Sequence, residues 1–390
     1  MASGQRDWAP HIQDFQKFLA DKQVHVDTSA STAHAGLEDF IPDGVVHDYL
    51  RTDHRCGKIL GELFRLEDEV VVSKSVLGRY SKVLAILVKI GKGQHITNFL
   101  TRDDLGDDRL PFLARPASFP RAAEDFFDAF HRAQFQFCAA VFDERARHEL
   151  DDAKILPFLE KQEIAHGGSS VIHKIRIHGM HLTGAQFQPS SASRGESRSY
   201  ALKEYTGKRA REQQQYEVQA FLRFGSTGIE NHNMVRFLCS YTHRGSYYTI
   251  LELADMGTLE GFMETQAPPS TDEEALVFWK NFLQIVNPLV RIHDIRDSLL
   301  STGPIGYSQP LSCCTRIWLT SIRYICHQDI KPANILVTSR PGASETYDCS
   351  FGLIDFGSSR FHSDLSRSQS LDSYATTTYG WFSCRHPSLA

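Results

Sequence analysis

His327-Gln328-Asp329-Ile330-Lys331-Pro332-Ala333-Asn334-Ile335-Leu336 is followed about twenty residues later by Asp355-Phe356-Gly357. The two stretches bring together a carboxylate, an ammonium, an amide and a second carboxylate. Carboxylate and amide oxygens are hard donors that suit Mg²⁺. A carboxylate two residues from an ammonium suits the deprotonation of a hydroxyl beside developing negative charge. In this order the residues read as a phosphoryl-transfer site.

The chain around them has the make-up of a packed protein. It has 390 residues, enough for two or three domains, and 41% of them are hydrophobic. A formal net charge of -5, without a dense Lys/Arg stripe, gives no footprint for nucleic acid. Eight cysteines without a C-x-x-C pair point to a reducing compartment, cytoplasmic or nuclear, rather than to a disulfide framework. The adjacent Cys313 and Cys314 read as ordinary thiols, with a redox pair as the alternative. Met1 to Pro10 is polar and lacks the pattern of a signal peptide. The most apolar run, Val83 to Val88, is far too short to cross a bilayer and reads as a buried helix or strand.

From Phe15 to Pro157 the pattern is mainly helical. Between Pro120 and Phe142, the spacing of Phe126, Phe127, Phe130, Phe135, Phe137 and Phe142 predicts a helix with a ring-lined core face. After Pro157, β-branched residues alternate through Ile164, Val171, Ile172, Ile175 and Ile177, which predicts a strand pair. A polar insert, His181 to Ser199, reads as a mobile hairpin loop ahead of a strand at Ser199–Tyr205. A helix follows over Lys208 to Phe224, then strands at Met234–Tyr241 and Tyr247–Leu253. Thr271 and Glu274 form a capping box ahead of Leu276, Trp279, Leu283 and Val286, and Pro288 predicts a kink.

Four further segments carry chemistry. Ile164 to Ile172 holds Gly167-Gly168, small residues that let backbone N–H groups approach phosphate oxygens. Lys203, on a strand, needs a charge partner if it faces inward. Glu217 is the preferred partner, with Glu212 as the fallback. Tyr247 to Gly257 passes from an apolar strand into a Gly turn. His173, His178 and His181 could suggest a metal site, though they lack a carboxylate or thiol at ligand spacing.

From about Ile164 to Gly380 the chain resembles a eukaryotic protein kinase domain, of the serine/threonine type because Lys331 stands two places after Asp329. The region before it is similar to the accessory region of fungal kinase-like proteins, especially over Arg79 to Phe99. The resemblance implies an α+β, two-lobed fold: an antiparallel β N-lobe at 158–253 and an incomplete helical C-lobe at 254–380, preceded by a mainly helical region at 1–157. It implies ATP and Mg²⁺ as cofactors and a protein substrate with Ser or Thr, with neither nucleic acid nor membrane as partner and the oligomeric state open. Asp329 would handle the substrate hydroxyl, Lys331 would neutralise phosphoryl charge, and Asn334 and Asp355 would hold metal. Ile164, Gly167, Gly168, Ile172, Ala201, Lys203, Glu217, Leu251, Glu252 and Ala254 would surround ATP, with Leu251 as gatekeeper.

The chain also departs from that pattern. Ala165 and Ser170 stand where the family has glycines, and Gln328 replaces an arginine that pairs with a phosphorylated activation loop. Residues 297–321 read as an insertion, either retained intron sequence or a lid. After Ala375-Thr376-Thr377-Thr378-Tyr379-Gly380 no Ala-Pro-Glu follows, and the family's later helices are missing. Apolar faces around Trp279 and Phe282 are therefore expected to be exposed. Ser363 to Ser373 reads as a solvated loop or a phosphorylated one. The alternatives to a working kinase are a catalytically silent nucleotide-binding scaffold and a truncated, mis-spliced gene product.

Overall fold

A computed structural model describes residues 10–25, 37–64, 69–122, 125–184, 197–225, 233–294, 324–326, 329–340, 346–355 and 360–362. The chain is a mixture of α and β structure in two compact units. The first comprises Met1–Arg211 and Phe237–Leu253, and the second Glu212–Arg236 and Ala254–Ala390. Among the described residues no helix is long and apolar enough to cross a membrane.

Among the described residues the first unit begins with seven α-helices: α1 (Pro10–Lys22), α2 (Val45–Arg51), α3 (Arg55–Phe64), α4 (Glu69–Arg79), α5 (Ser81–Lys89), α6 (Ile96–Leu100) and α7 (Phe127–Gln134). The apolar run Val83 to Val88 lies in α5, and every residue of the run is buried. A helix that is apolar all round belongs inside a core. Its first turn is held from a distance, because Asp107 accepts the backbone N–H groups of Lys82 and Val83 at 2.9 Å each. These are donors that an α-helix cannot satisfy internally. Burial pushes the Asp107 carboxyl up to about 6, although the two N–H bonds work in the opposite direction.

Phe99, Phe119 and Phe130 pack together in this core, with ring centroids 5.5–5.7 Å apart. The helix expected to continue to Phe142 stops sooner. It ends at Gln134, a 3₁₀ turn covers Phe135–Phe137, and Phe142 lies on a strand. The cause lies in the backbone partners. The carbonyl of Gln136, which a helix would give to Ala140, takes the N–H of Ile41 at 2.7 Å, and Ala140 donates instead to Ile155 at 2.8 Å.

The strands of this unit are β1 (Phe142–Asp143), β2 (Arg147–Glu149), β3 (Phe158–His166), β4 (Ser170–Ile177), β5 (Leu182–Thr183), β6 (Arg198–Tyr205), β7 (Phe237–His243) and β8 (Ser246–Glu252). Six form one sheet in the order β2-β7-β8-β6-β4-β3, antiparallel except for the parallel edge pair β2–β7. One face buries Ile175, Leu202, Leu238, Tyr241 and Ile250 against Phe142 and Phe158. The start of the segment expected as a hairpin loop is ordered differently: Gly179–His181 is a 3₁₀ turn, and β5 pairs parallel with β1. Residues 185–196 lie outside the described residues.

His181 explains that order. It is 1% exposed, its Nδ1 sits 2.8 Å from the Ala140 carbonyl, and its Nε2 accepts the N–H of Asp43 at 3.1 Å. These two contacts require the neutral tautomer with the proton on Nδ1. Burial lowers its pKa to about 4.

α8 (Ala210–Gly225) starts at the end of the first unit, and from Glu212 onward it belongs to the second. The second unit also holds α9 (Leu259–Thr265), α10 (Asp272–Phe282), α11 (Val286–Asp294), β9 (Tyr324–Cys326), β10 (Ile335–Ser339), β11 (Cys349–Leu353) and β12 (Arg360–His362). β10 and β11 form an antiparallel pair, as do β9 and β12. The capping box at Thr271 and Glu274 is present. At Pro288 the expected kink is displaced toward the N-terminus: α10 ends at Phe282, Leu283–Ile285 is a 3₁₀ turn, and Pro288 sits in the first turn of α11. Its missing N–H costs nothing in a first turn. Trp279 is 55% exposed, as expected, and Leu276, Leu283, Val286 and Val290 share its exposure. Phe282 does not. It is half-buried, stacked on Phe278 and edge-on to Phe351.

Candidate active site

The sequence candidates fall in both units. In the first, the sheet register sorts them. Residues opposite one another in neighbouring strands share a face, and Lys203 on β6 is opposite Ile172 on β4 and Thr249 on β8, while Ala201 is opposite Leu251. Ile172, Ala201, Lys203 and Leu251 therefore lie on one face. Glu252 follows Leu251 and pairs with Tyr200, which places it on the other. Ile164 falls at the irregularity between Glu163 and Ala165 and is exposed. Ala254, first residue of the second unit's 254–390 segment, is half-buried.

Gly167 and Gly168 join β3 to β4 in a tight turn. The N–H of Gly167 donates to the Ser170 carbonyl at 2.8 Å, and a Cβ at Gly168 would meet nothing within 4 Å. The tip is open, with room for a ligand to approach the backbone. Lys203 is 8% exposed, with its Nζ 5.3 Å from the centre of the Tyr205 ring. A buried ammonium is sustained only by compensating partners.

The opposite face carries a separate polar cluster around Glu204. His173 Nε2 is 3.1 Å and Lys161 Nζ 3.6 Å from one carboxylate oxygen, and Tyr248 Oη donates to the other at 3.4 Å. His173 is thus engaged by Glu204, His178 accepts the Met180 N–H, and His181 joins Ala140 to Asp43. The three histidines serve three different local structures, and among the described residues no group of three or more His, Cys, Asp or Glu side chains could hold a metal.

In the second unit, Glu217 lies on the buried face of α8 at 1% exposure, together with Gln214, Val218 and Phe221, whereas Glu212 is exposed. Of the two glutamates, Glu217 is thus the one on the helix's buried face. The remaining candidates converge on the β10–β11 hairpin. Pro332–Asn334 forms a 3₁₀ turn that leads into β10, and the Asn334 carbonyl takes the N–H of Ile354 just past β11. Asn233–Val235 and Asp255–Thr258 flank the hairpin: Val235 donates to the Leu353 carbonyl, and the N–H of Ser339 donates to Asp255.

On this frame Asp329 is held from two sides. Lys331 Nζ lies 2.9 Å from its Oδ2, and the Asn334 Nδ2 donates to its backbone carbonyl and to Oδ2, both at 2.9 Å. Asn334 is buried, so its amide is fixed in rotation, and with Nδ2 committed to Asp329 its Oδ1 is the atom able to ligate a cation. The hydrogen bond to Asp329, backed by the charges of Asp329, Asp355 and Glu260, raises the Lys331 pKa. Glu260, in the first turn of α9, was not singled out in the sequence; the only signal for it is the Thr258 cap that starts the helix.

Asp355 has φ 62, the left-handed region. That region costs a non-glycine residue about 1–2 kcal/mol and persists where surrounding structure imposes it, most often at functional sites. Two oxygen-donor side chains, Asn334 and Asp355, suit Mg²⁺, which commonly takes one or two protein ligands and completes its shell with water and phosphate oxygens. His327, Gln328, Phe356, Gly357, residues 297–321 and everything after 362 lie outside the described residues. No protein-family model and no curated protein sequence matches the chain.

Proposed function

We propose that the chain is a protein kinase of two-lobed fold that transfers the γ-phosphoryl group of Mg-ATP to a Ser or Thr hydroxyl. The observation that carries this reading is the Asp329–Lys331–Asn334 network, in which one buried amide fixes the carboxylate that would accept a proton. Supporting it, the Gly167-Gly168 turn joins the first two strands of an antiparallel run, Lys203 is buried on the third, a helix with the buried Glu217 follows, and a fifth strand leads toward Ala254. Lys203 and Glu217 are both buried, as the reading requires of them.

Bound Mg-ATP would supply the electrophilic phosphorus and the cation that neutralises its oxygens. The chain's own residues do the rest. Asp329, oriented by Asn334, accepts the proton of the attacking hydroxyl. Lys331 already sits on Asp329 Oδ2, so its ammonium is placed beside the charge that develops during transfer. Asn334 Oδ1 and the Asp355 carboxylate would hold the metal, with the left-handed backbone at Asp355 setting the carboxylate's direction.

The test is ATP-dependent phosphorylation of a general Ser/Thr protein substrate by the purified chain, compared with Asp329→Asn. Removing the base should lower turnover by at least about 10²-fold while nucleotide affinity changes little. Nucleotide binding without transfer by the unaltered chain would overturn the enzyme reading and leave the scaffold reading.

A further inference from the structure

The face of the sheet that carries Lys203 buries two further polar side chains. Thr249, opposite Lys203 on β8, is fully buried, and Tyr205, two residues further along β6, is 4% exposed. Residues two apart on a strand share a face, so Lys203, Tyr205 and Thr249 lie on the same one. The Tyr205 and Thr249 hydroxyls are 3.2 Å apart, and each thereby gains the partner that a buried hydroxyl needs. A buried ring tethered at its hydroxyl cannot swing, so the position of the Tyr205 ring is fixed from both ends.

That ring faces the ammonium. Lys203 Nζ lies 5.3 Å from its centre, within the ~6 Å over which the negative face of an aromatic ring attracts a cation. The attraction strengthens where water is excluded, as it is around these buried side chains. A ring face engages an ammonium from one side, and the ammonium carries three N–H donors, so donors remain for oxygen acceptors.

The register gives the arrangement a direction. Lys203 is opposite Ile172, whereas Tyr205 is opposite Ser170, the first residue of β4. The ring therefore stands on the side of Lys203 nearer the Gly167-Gly168 turn, the end of the sheet where the proposed function places the phosphates. Lysine has a long, flexible stem, and binding geometry is held by neighbours that lock it. We infer that Tyr205, locked by Thr249, is a positioning residue for nucleotide binding: its ring holds the Lys203 ammonium toward the glycine turn, where phosphate oxygens would meet it. The inference rests on the assignment of Lys203 to the phosphates of ATP.

Calorimetric titration of the full chain with Mg-ATP and with adenosine separates phosphate contacts from the rest. Tyr205→Leu should weaken Mg-ATP binding at least about fivefold and leave adenosine within about twofold, because only phosphates meet Lys203. Tyr205→Phe keeps the ring and should bind Mg-ATP within about twofold of the parent. Both variants leave the Thr249 hydroxyl without its partner, so the difference between them reports the ring alone. In a Lys203→Met background, Tyr205→Leu should have no further effect on Mg-ATP. Equal loss of both ligands, unchanged or tighter Mg-ATP binding by Tyr205→Leu, or an undiminished loss in the Lys203→Met background overturns the inference, since each is what a merely structural ring would give. If Lys203→Met alone leaves Mg-ATP affinity unchanged, the assignment of Lys203 fails and the inference falls with it, an outcome distinct from the other three. Should Tyr205→Leu fail to fold, pentafluorophenylalanine at position 205 keeps the shape of a Phe ring and reverses its quadrupole. It should bind Mg-ATP at least about fivefold more weakly than Tyr205→Phe, and equal binding overturns the inference.

Discussion

α5 and the α10–α11 pair are both apolar helical stretches, and they differ in what covers them. In α5 every residue from Val83 to Val88 is buried. Along α10 and α11, Leu276, Trp279, Leu283, Val286 and Val290 recur at steps of three and four and are 47–69% exposed. A helical apolar period therefore states what a helix can bury and leaves open whether anything buries it. The energetic consequences of the two patterns are opposite, since each buried side chain in α5 contributes packing and transfer free energy that an exposed one does not.

The largest expected effect is in that contrast. Leu84→Ala should destabilise the first unit by about 2–5 kcal/mol, as read by hydrogen exchange of α5 peptides, because it opens a cavity at a fully buried site. Leu283→Ala should change stability by under about 0.5 kcal/mol. Equal costs would break the comparison and show that Leu283 is covered in solution.

A pH experiment sharpens it on the buried side. His181 is held near 4, below the ~6.5 of an unfolded chain, so its stabilising contribution is full above pH 6.5 and is lost as pH falls toward 4, by about 3 kcal/mol. Asp107 is pushed to about 6, above the ~3.9 of an unfolded chain, so its contribution runs the other way and is regained over almost the same range. The two nearly cancel in the unaltered chain. Asp107→Asn should uncover the His181 loss, visible as a denaturation midpoint that falls between pH 7 and pH 4 far more steeply than in the parent.

Smaller effects belong to the exposed side. Thr271→Ala removes one half of the α10 capping box and should cost about 1 kcal/mol locally, read as faster amide exchange in the first turn of α10. Trp279→Ser should leave stability within about 0.5 kcal/mol and raise the solubility limit, because it removes the largest ring of the exposed stripe.

The sequence made some of this readable and hid the rest for identifiable reasons. The α5 run and the capping box rest on local signals, apolar density and a three-residue spacing, and both appear where they were expected. Asp329, Lys331 and Asn334 lie within six residues, so their meeting was also local. The end of α7 was not readable, because it depends on Ile41 and Ile155 taking backbone groups from 136–140. Nor was the role of Asp107, which caps a helix 24 residues away in sequence. His181 offered a metal-site suspicion and proved to be a buried link between two backbone groups. β2, with the sequence Arg-His-Glu, has no apolar alternation at all and joins the sheet through its backbone.

That short polar strand has a practical consequence for anyone cutting the chain. β7 carries Phe237, Leu238, Cys239 and Tyr241, all buried, and its outer edge is occupied by Arg147–Glu149, with Ala146 and Leu150 adding backbone bonds to Ser240 and Thr242. A fragment begun at Phe158, where the strand-rich sequence starts, would strip that edge and leave an apolar strand with free backbone groups, the template on which other chains pair. Such a fragment should self-associate through β7, whereas one begun before Arg147 keeps its guard strand and should stay dispersed at the same concentration.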